Sequence, residues 1–174
     1  MVHLITGPTH AGKTQYAQKI LEQNHIPYLS IDHLKMGLIR SGHCPLTPEH
    51  SLTQLTAFLW PIVKEIVKTC IENQQNITIE GCYIPFDYKK DFEPIVLSQI
   101  QFTCLAFHPE YIQTHFDEII AFESIIEKRN HSIKQKQLLE ENQIFIQGCH
   151  QYQLPIHWIG EKLDNQSDIT KSTL

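Results

Sequence analysis

The feature that most constrains this chain is an octapeptide near its start, Gly7-Pro8-Thr9-His10-Ala11-Gly12-Lys13-Thr14, which follows Val2-His3-Leu4-Ile5-Thr6 without a spacer. A short apolar run that stops at a glycine reads as a buried strand. After Lys13, the apolar residues Tyr16, Ile20 and Leu21 recur at helical spacing, which predicts a helix over residues 13–23. The chain therefore opens with a strand, a glycine-containing turn and a helix, in that order.

The same alternation continues. Residues 27–31 and 76–80 read as a second and a third strand; 101–107 and 156–159 read as a fourth and a fifth. Helices are expected over 32–39, over 47–73 with Thr47 as N-cap and Pro48 in the first turn, over most of 86–99, and through the polar stretch from 109 to 148. Pro61 should kink the long helix, because proline lacks an N–H and clashes with the preceding turn. Five apolar strands separated by helices imply an α/β fold with a parallel sheet covered on both faces. At 174 residues, without a linker or internal repeat, the chain fits one domain spanning 1–174.

The octapeptide matches G-x-x-x-x-G-K-S/T, the phosphate-binding P-loop or Walker A pattern, in its required place between strand and helix. Glycines let the backbone turn tightly and bring its N–H groups against phosphate oxygens. The helix that follows points its positive end at the same anion. Gly7, Pro8, Thr9, His10, Ala11, Gly12, Lys13 and Thr14 are thus the candidate nucleotide-binding residues. Lys13 is a point charge for the β- and γ-phosphates, and the Thr14 hydroxyl is a Mg²⁺ ligand. ATP and Mg²⁺ are the expected cofactors.

With these residues the chain resembles the P-loop nucleoside and small-molecule kinase superfamily, which includes adenylate-kinase-like proteins. Within it, the chain is most similar to the branch of zeta toxins, chloramphenicol phosphotransferase and 2-phosphoglycerate-type kinases. The narrower resemblance rests on Leu29-Ser30-Ile31-Asp32-His33-Leu34-Lys35, on Ile79-Glu80-Gly81, and on Glu127-Lys128-Arg129. It implies a three-layer α/β/α fold with strand order 2-3-1-4-5 and a helical lid within residues 110–142. By the same resemblance Asp32 takes the proton of an attacking hydroxyl, and Arg129 closes on ATP from the lid. Lys35 and Arg40 would lie on the acceptor side. The only arginines in the chain are Arg40 and Arg129, whereas many relatives carry several in the lid.

Each assignment has a plainer counterpart. Asp32 could simply cap the helix after the second strand. Glu80, at a strand's carboxyl end where ligands gather in open α/β sheets, could orient the acceptor, hold a metal-bound water or serve as base, or it could be a solvated strand end. The two arginines could be surface charges. Tyr83, Pro85 and Phe86 could wall an acceptor pocket or fill the core. His10, inside the loop, has no assigned role.

The expected activity is transfer of the ATP γ-phosphoryl group to a hydroxyl on a small molecule, with Lys13, Asp32 and Arg129 as catalytic residues and Asp32, Lys35, Arg40 and Glu80 facing the acceptor. Two alternatives remain: a nucleoside-monophosphate kinase, whose charged acceptor needs several arginines, and a nucleotide-binding regulator without acceptor kinase activity. A net charge of −5 and the lack of a basic stripe argue against a nucleic-acid partner. No apolar stretch reaches membrane-spanning length. Five cysteines without C-x-x-C spacing suggest reduced thiols in a cytoplasm rather than disulfides or a zinc site. Oligomeric state is open.

Overall fold

The computed structural model describes residues 1–122 and 133–160. Five strands, β1 (Val2–Thr6), β2 (Tyr28–Ser30), β3 (Ile77–Glu80), β4 (Ile100–Phe107) and β5 (Ile156–Ile159), form one sheet in the order β2-β3-β1-β4-β5. Every pairing is parallel. The expected α/β fold, strand count and strand order all hold.

Alternation along the central strands explains the layers. In β1, Val2 and Leu4 enter one apolar cluster and Ile5 enters another. In β4, Phe102 and Cys104 face the first cluster, Leu105 and Phe107 the second. A strand with apolar residues on both faces must be covered on both. Helix α3 (Leu52–Glu72) covers the first face with Leu55, Leu59, Val63 and Val67, each 3% exposed or less. Helices α1 (Lys13–Asn24) and α5 (Pro109–Ala121) cover the second through Ala17, Ile112 and Ile119. Helix α6 (Gln135–Gln151) reaches both clusters, with Phe145 and Cys149 in one and Leu138 in the other.

Several boundaries differ from expectation. Helix α3 starts at Leu52, not at Pro48, because Ser51 and Gln54 form a capping box that satisfies the first free N–H groups. It runs through Pro61 as a single 21-residue helix. The expected helix over 86–99 is instead a 3-10 turn at Tyr88–Asp91 and one short helix, α4 (Pro94–Leu97). Pro94 suits the start of α4, where its missing N–H costs nothing, and Glu93 before it is extended, as a residue preceding proline tends to be. Within the expected lid, α5 ends at Ala121 and α6 begins at Gln135; residues 123–132 lie outside the described part. Among the described residues, no helix is long and apolar enough to cross a membrane.

Candidate active site

The strands β1, β2 and β3 bring their carboxyl ends to one edge of the sheet. Register places Ile5 beside Glu80, and Ser30 beside Glu80 on the other side. Three backbones therefore deliver the loop, the Ser30 hydroxyl and the Glu80 carboxylate to one place.

The loop leaves β1 at Gly7. A Cβ there would sit 2.3 Å from the backbone oxygen of Leu105, so only glycine lets the chain turn across the end of β4. His10 (φ 59°) and Gly12 (φ 73°) are left-handed. Alternation of right- and left-handed residues turns successive N–H groups inward, which makes a concavity for anions. Lys13, only 4% exposed, donates its ammonium to the Pro8 carbonyl at 2.7 Å. The cation is thereby held at the loop.

Glu80 is buried, 1% exposed. The Thr14 hydroxyl donates to its Oε1 at 3.2 Å, and the Ser30 hydroxyl also bonds to it. Burial pushes this carboxyl above the usual range; Ser30, Lys13 and Thr14 pull it back, and the charge of Asp32 pushes it further up.

Asp32 lies in the first turn of α2 (Ile31–Arg40). It does not cap the helix: Ser30 holds the N-cap position, and its side chain makes no capping bond either. The Asp32 carboxylate is clamped instead. Lys35 donates to Oδ1 at 2.6 Å, and the Tyr83 hydroxyl donates to the same oxygen at 3.3 Å. Lys35 also donates to the Tyr83 oxygen at 2.6 Å. The i, i+3 spacing on α2 makes the ion pair; Tyr83 joins from the segment after β3. Burial drives the Tyr83 phenol well above its usual range, so it stays a neutral donor. Gly81 makes this approach possible, since a Cβ there would lie 2.8 Å from the Ile31 Cβ.

A fourth element reaches the loop. Glu141 of α6 accepts a hydrogen bond from the Thr9 backbone N–H at 2.9 Å. Its neighbour Asn142, 1% exposed, accepts from the Phe107 N–H and donates to the Phe107 carbonyl, both at 2.9 Å. The N–H groups of Cys104 and His108 point toward β5. That of Phe107 therefore points to the opposite side, which β1 has left after Thr6. Asn142 completes the strand edge that the loop vacates.

A five-stranded parallel sheet in this order, with such a loop after its central strand, has solved counterparts. One is a gluconokinase from Sinorhizobium meliloti, at 13% identity over 92% of this chain and 83% of that one, with a TM-score of 0.52. Another is shikimate kinase from Bacteroides thetaiotaomicron, at 14% identity over 95% and 90%, with a TM-score of 0.51. A third is a chain of the Pnkp1/Rnl/Hen1 RNA repair complex, at 14% identity over 86% of this chain and 45% of that one, with a TM-score of 0.54. The chain has the fold of the P-loop small-molecule kinases. By sequence, no protein-family model matches it and no curated protein does.

Within this P-loop kinase fold, Gly7 to Thr14, Asp32, Lys35 and Glu80 converge. Glu80 feels the charges of both Lys13 and Asp32, which ties the loop to the α2 carboxylate. Arg40 does not join them: it is exposed in the last turn of α2, about 12 Å along the axis from Asp32. Arg129 lies outside the described residues.

The oxygen donors of Thr14, Glu80, Ser30 and Asp32 are of the hard class that Mg²⁺ prefers, and they fit an ion shared with nucleotide phosphates. Among the described residues, no group of three or more His, Cys, Asp or Glu side chains could hold a metal alone. Sequence reasoning missed Glu141, which no motif marks and which lies 132 residues from Thr9. It also gave Ser30 no role, although that residue stands inside the segment that singled out Asp32.

Proposed function

We propose that the protein is a phosphotransferase that moves the γ-phosphoryl group of ATP to a hydroxyl on a small molecule. The observation that carries this reading is the clamped carboxylate: Asp32, held by Lys35 and Tyr83, stands at the sheet edge that bears the phosphate loop. A regulator that only binds nucleotide has no need of a positioned proton acceptor there. The kinase fold supports the same reading.

In this mechanism the loop N–H groups and Lys13 hold the polyphosphate and offset the charge that develops on it. An acceptor hydroxyl attacks the γ-phosphorus in line as the bond to the β,γ-bridging oxygen breaks. A new phosphate ester forms and ADP departs. Asp32 takes the hydroxyl proton. Lys35 and Tyr83 fix the Asp32 carboxylate, so little reorganisation is needed when the acceptor arrives. Thr14 and Glu80 would hold Mg²⁺, which would withdraw charge from the phosphates. Arg129 would supply a second cation, as the family resemblance implies.

The test is ADP release from Mg²⁺-ATP with a panel of hydroxyl compounds and nucleoside monophosphates. Stimulation by a hydroxyl compound, reduced about 10²–10⁴-fold in Asp32→Asn, is the expected result. Stimulation by a nucleoside monophosphate alone would replace this reading with a nucleotide kinase. Slow turnover indifferent to every acceptor would refute the transfer reaction.

A further inference from the structure

The contact between Glu141 and the phosphate loop is unusual in its sign. Loop N–H groups of this kind are arranged to receive an anion. One of them, on Thr9, already receives one: a carboxylate oxygen at 2.9 Å. A carboxylate and a phosphate offer the same thing to an N–H, a negatively charged oxygen acceptor. Both cannot use that N–H fully, and their like charges repel at such range.

The placement of Glu141 is built into the fold. Leu138, Asn142, Phe145, Ile146 and Cys149 are all buried on α6. The two hydrogen bonds from Asn142 to Phe107 fix the helix lengthwise against β4. A Cβ on Gly148 would lie 2.4 Å from the Phe86 ring, so the helix is seated closely there too. With α6 held so firmly, Glu141 can leave the loop only by turning its own side chain. It is half-buried and sits on the loop side of α6, near Cys82, whose thiol feels its charge together with those of Lys13 and Asp32.

We propose that Glu141 is an autoinhibitory anion: its carboxylate occupies the phosphate loop and competes with the phosphates of the incoming nucleotide. The inference rests on the reading that the loop binds nucleotide, and it goes beyond it. An anion that binds weakly fails to displace the side chain. A polyphosphate, which gains several loop contacts at once, succeeds. The apparent affinity of the free loop is lowered by the fraction of time that Glu141 occupies it.

The experiment is a titration of the full chain with pyrophosphate and with ATP, at fixed ionic strength, on wild type, Glu141→Gln, Glu141→Ala and Glu140→Gln. Gln keeps an oxygen acceptor for the Thr9 N–H but removes the charge; Ala removes both. Glu140 is the neighbouring exposed carboxylate, 3.7 Å from Lys136 and facing away, so its variant controls for net charge. The expected result is a Kd lower by about three- to tenfold for both ligands in both Glu141 variants, with Glu140→Gln unchanged. Binding by the Glu141 variants alone would support the inference most strongly. Unchanged or weaker binding in Glu141→Gln, while wild type binds ATP, would overturn it. So would an equal gain in Glu140→Gln. No binding by any of the four would instead refute the nucleotide reading of the loop, and the inference with it.

Discussion

Replacing Glu80 by Gln should make the ligand-free protein more stable and the proposed phosphoryl transfer slower. Glu80 is 1% exposed, and its ionised form has lost nearly all contact with water. The effective penalty for burying a charge is several kcal/mol. The hydroxyls of Thr14 and Ser30 return part of it, because a hydrogen bond to a charged group is worth about 1 kcal/mol more than one to a neutral group. Attraction to Lys13 returns a little more. Gln keeps an oxygen acceptor for the two hydroxyls and avoids the penalty. The difference comes to about 1–2 kcal/mol in favour of Glu80→Gln near pH 7.5, a rise in Tm of roughly 2–8 °C for a chain of this size. Turnover should fall by about 100-fold or more if Glu80 helps hold the metal or the acceptor.

The pH dependence makes this prediction specific. Burial raises the Glu80 carboxyl above its ordinary value of 4.5 in the folded state. Below 4.5 the group is protonated in both states, and the two proteins should be equally stable. As pH rises, the unfolded chain ionises first, so the wild type loses stability relative to Glu80→Gln. The loss ends once pH passes the raised folded value. Urea unfolding of both proteins between pH 4 and 8 should therefore show a gap that opens with pH and then levels. A gap that is constant across that range, or a variant less stable at pH 7.5, would refute the account of Glu80 as an ill-solvated carboxylate.

Lys35→Met should destabilise the protein by about 2–3 kcal/mol in urea unfolding, because it strips a partner from Asp32; the cost is below that of a fully buried pair because 29% of the Asp32 side chain stays in water. A change under about 0.5 kcal/mol would show that the clamp does not form. Gly7→Ala should cost at least about 2 kcal/mol, since the added carbon meets a backbone oxygen at 2.3 Å and no rotamer relieves it; calorimetry showing an unshifted Tm would contradict the tight exit from β1. Burial lowers the His3 imidazole to about 4, while its ring bonds to the Thr103 hydroxyl at 2.8 Å. Between pH 6.5 and 4 the unfolded chain takes up a proton that the native state refuses, so stability is lost as pH falls through that window. His3→Gln should remove about 1–2 kcal/mol of that loss, and an unchanged acid limb would argue against it.

Much of this architecture could be read from residues close together in the chain. The strand β1, the loop and α1 are one uninterrupted pattern, and short apolar runs marked the remaining strands, with β-branched residues in β3. Asp32 and Lys35 were visible because they stand within one short segment, Leu29 to Lys35, where an acid closes the second strand and a base follows shortly after. The helix-start signals at Thr47 and Pro48 were overridden by a better capping box four residues later, at Ser51 and Gln54. The span from 86 to 99 was misread because its apolar residues serve tertiary contacts, such as Tyr88 stacked on Phe102, and not a helical stripe. Glu141 was invisible for a different reason. Its contact with Thr9 depends on where α6 lies against β4, and the Asn142 bonds to Phe107 that help set this join residues 35 apart in the chain.

That last arrangement bears on the order in which the molecule can be made. In synthesis the phosphate loop is made before α6, yet the strand edge beside it is completed by Asn142 of that helix. A nascent chain that stops short of α6 would leave the Phe107 N–H and carbonyl without the partner that Asn142 supplies, and Thr9 without Glu141. Buried backbone groups demand partners. The loop is thus written before the helix that finishes it, so a newborn chain should complete the loop's surroundings only after α6 has been made.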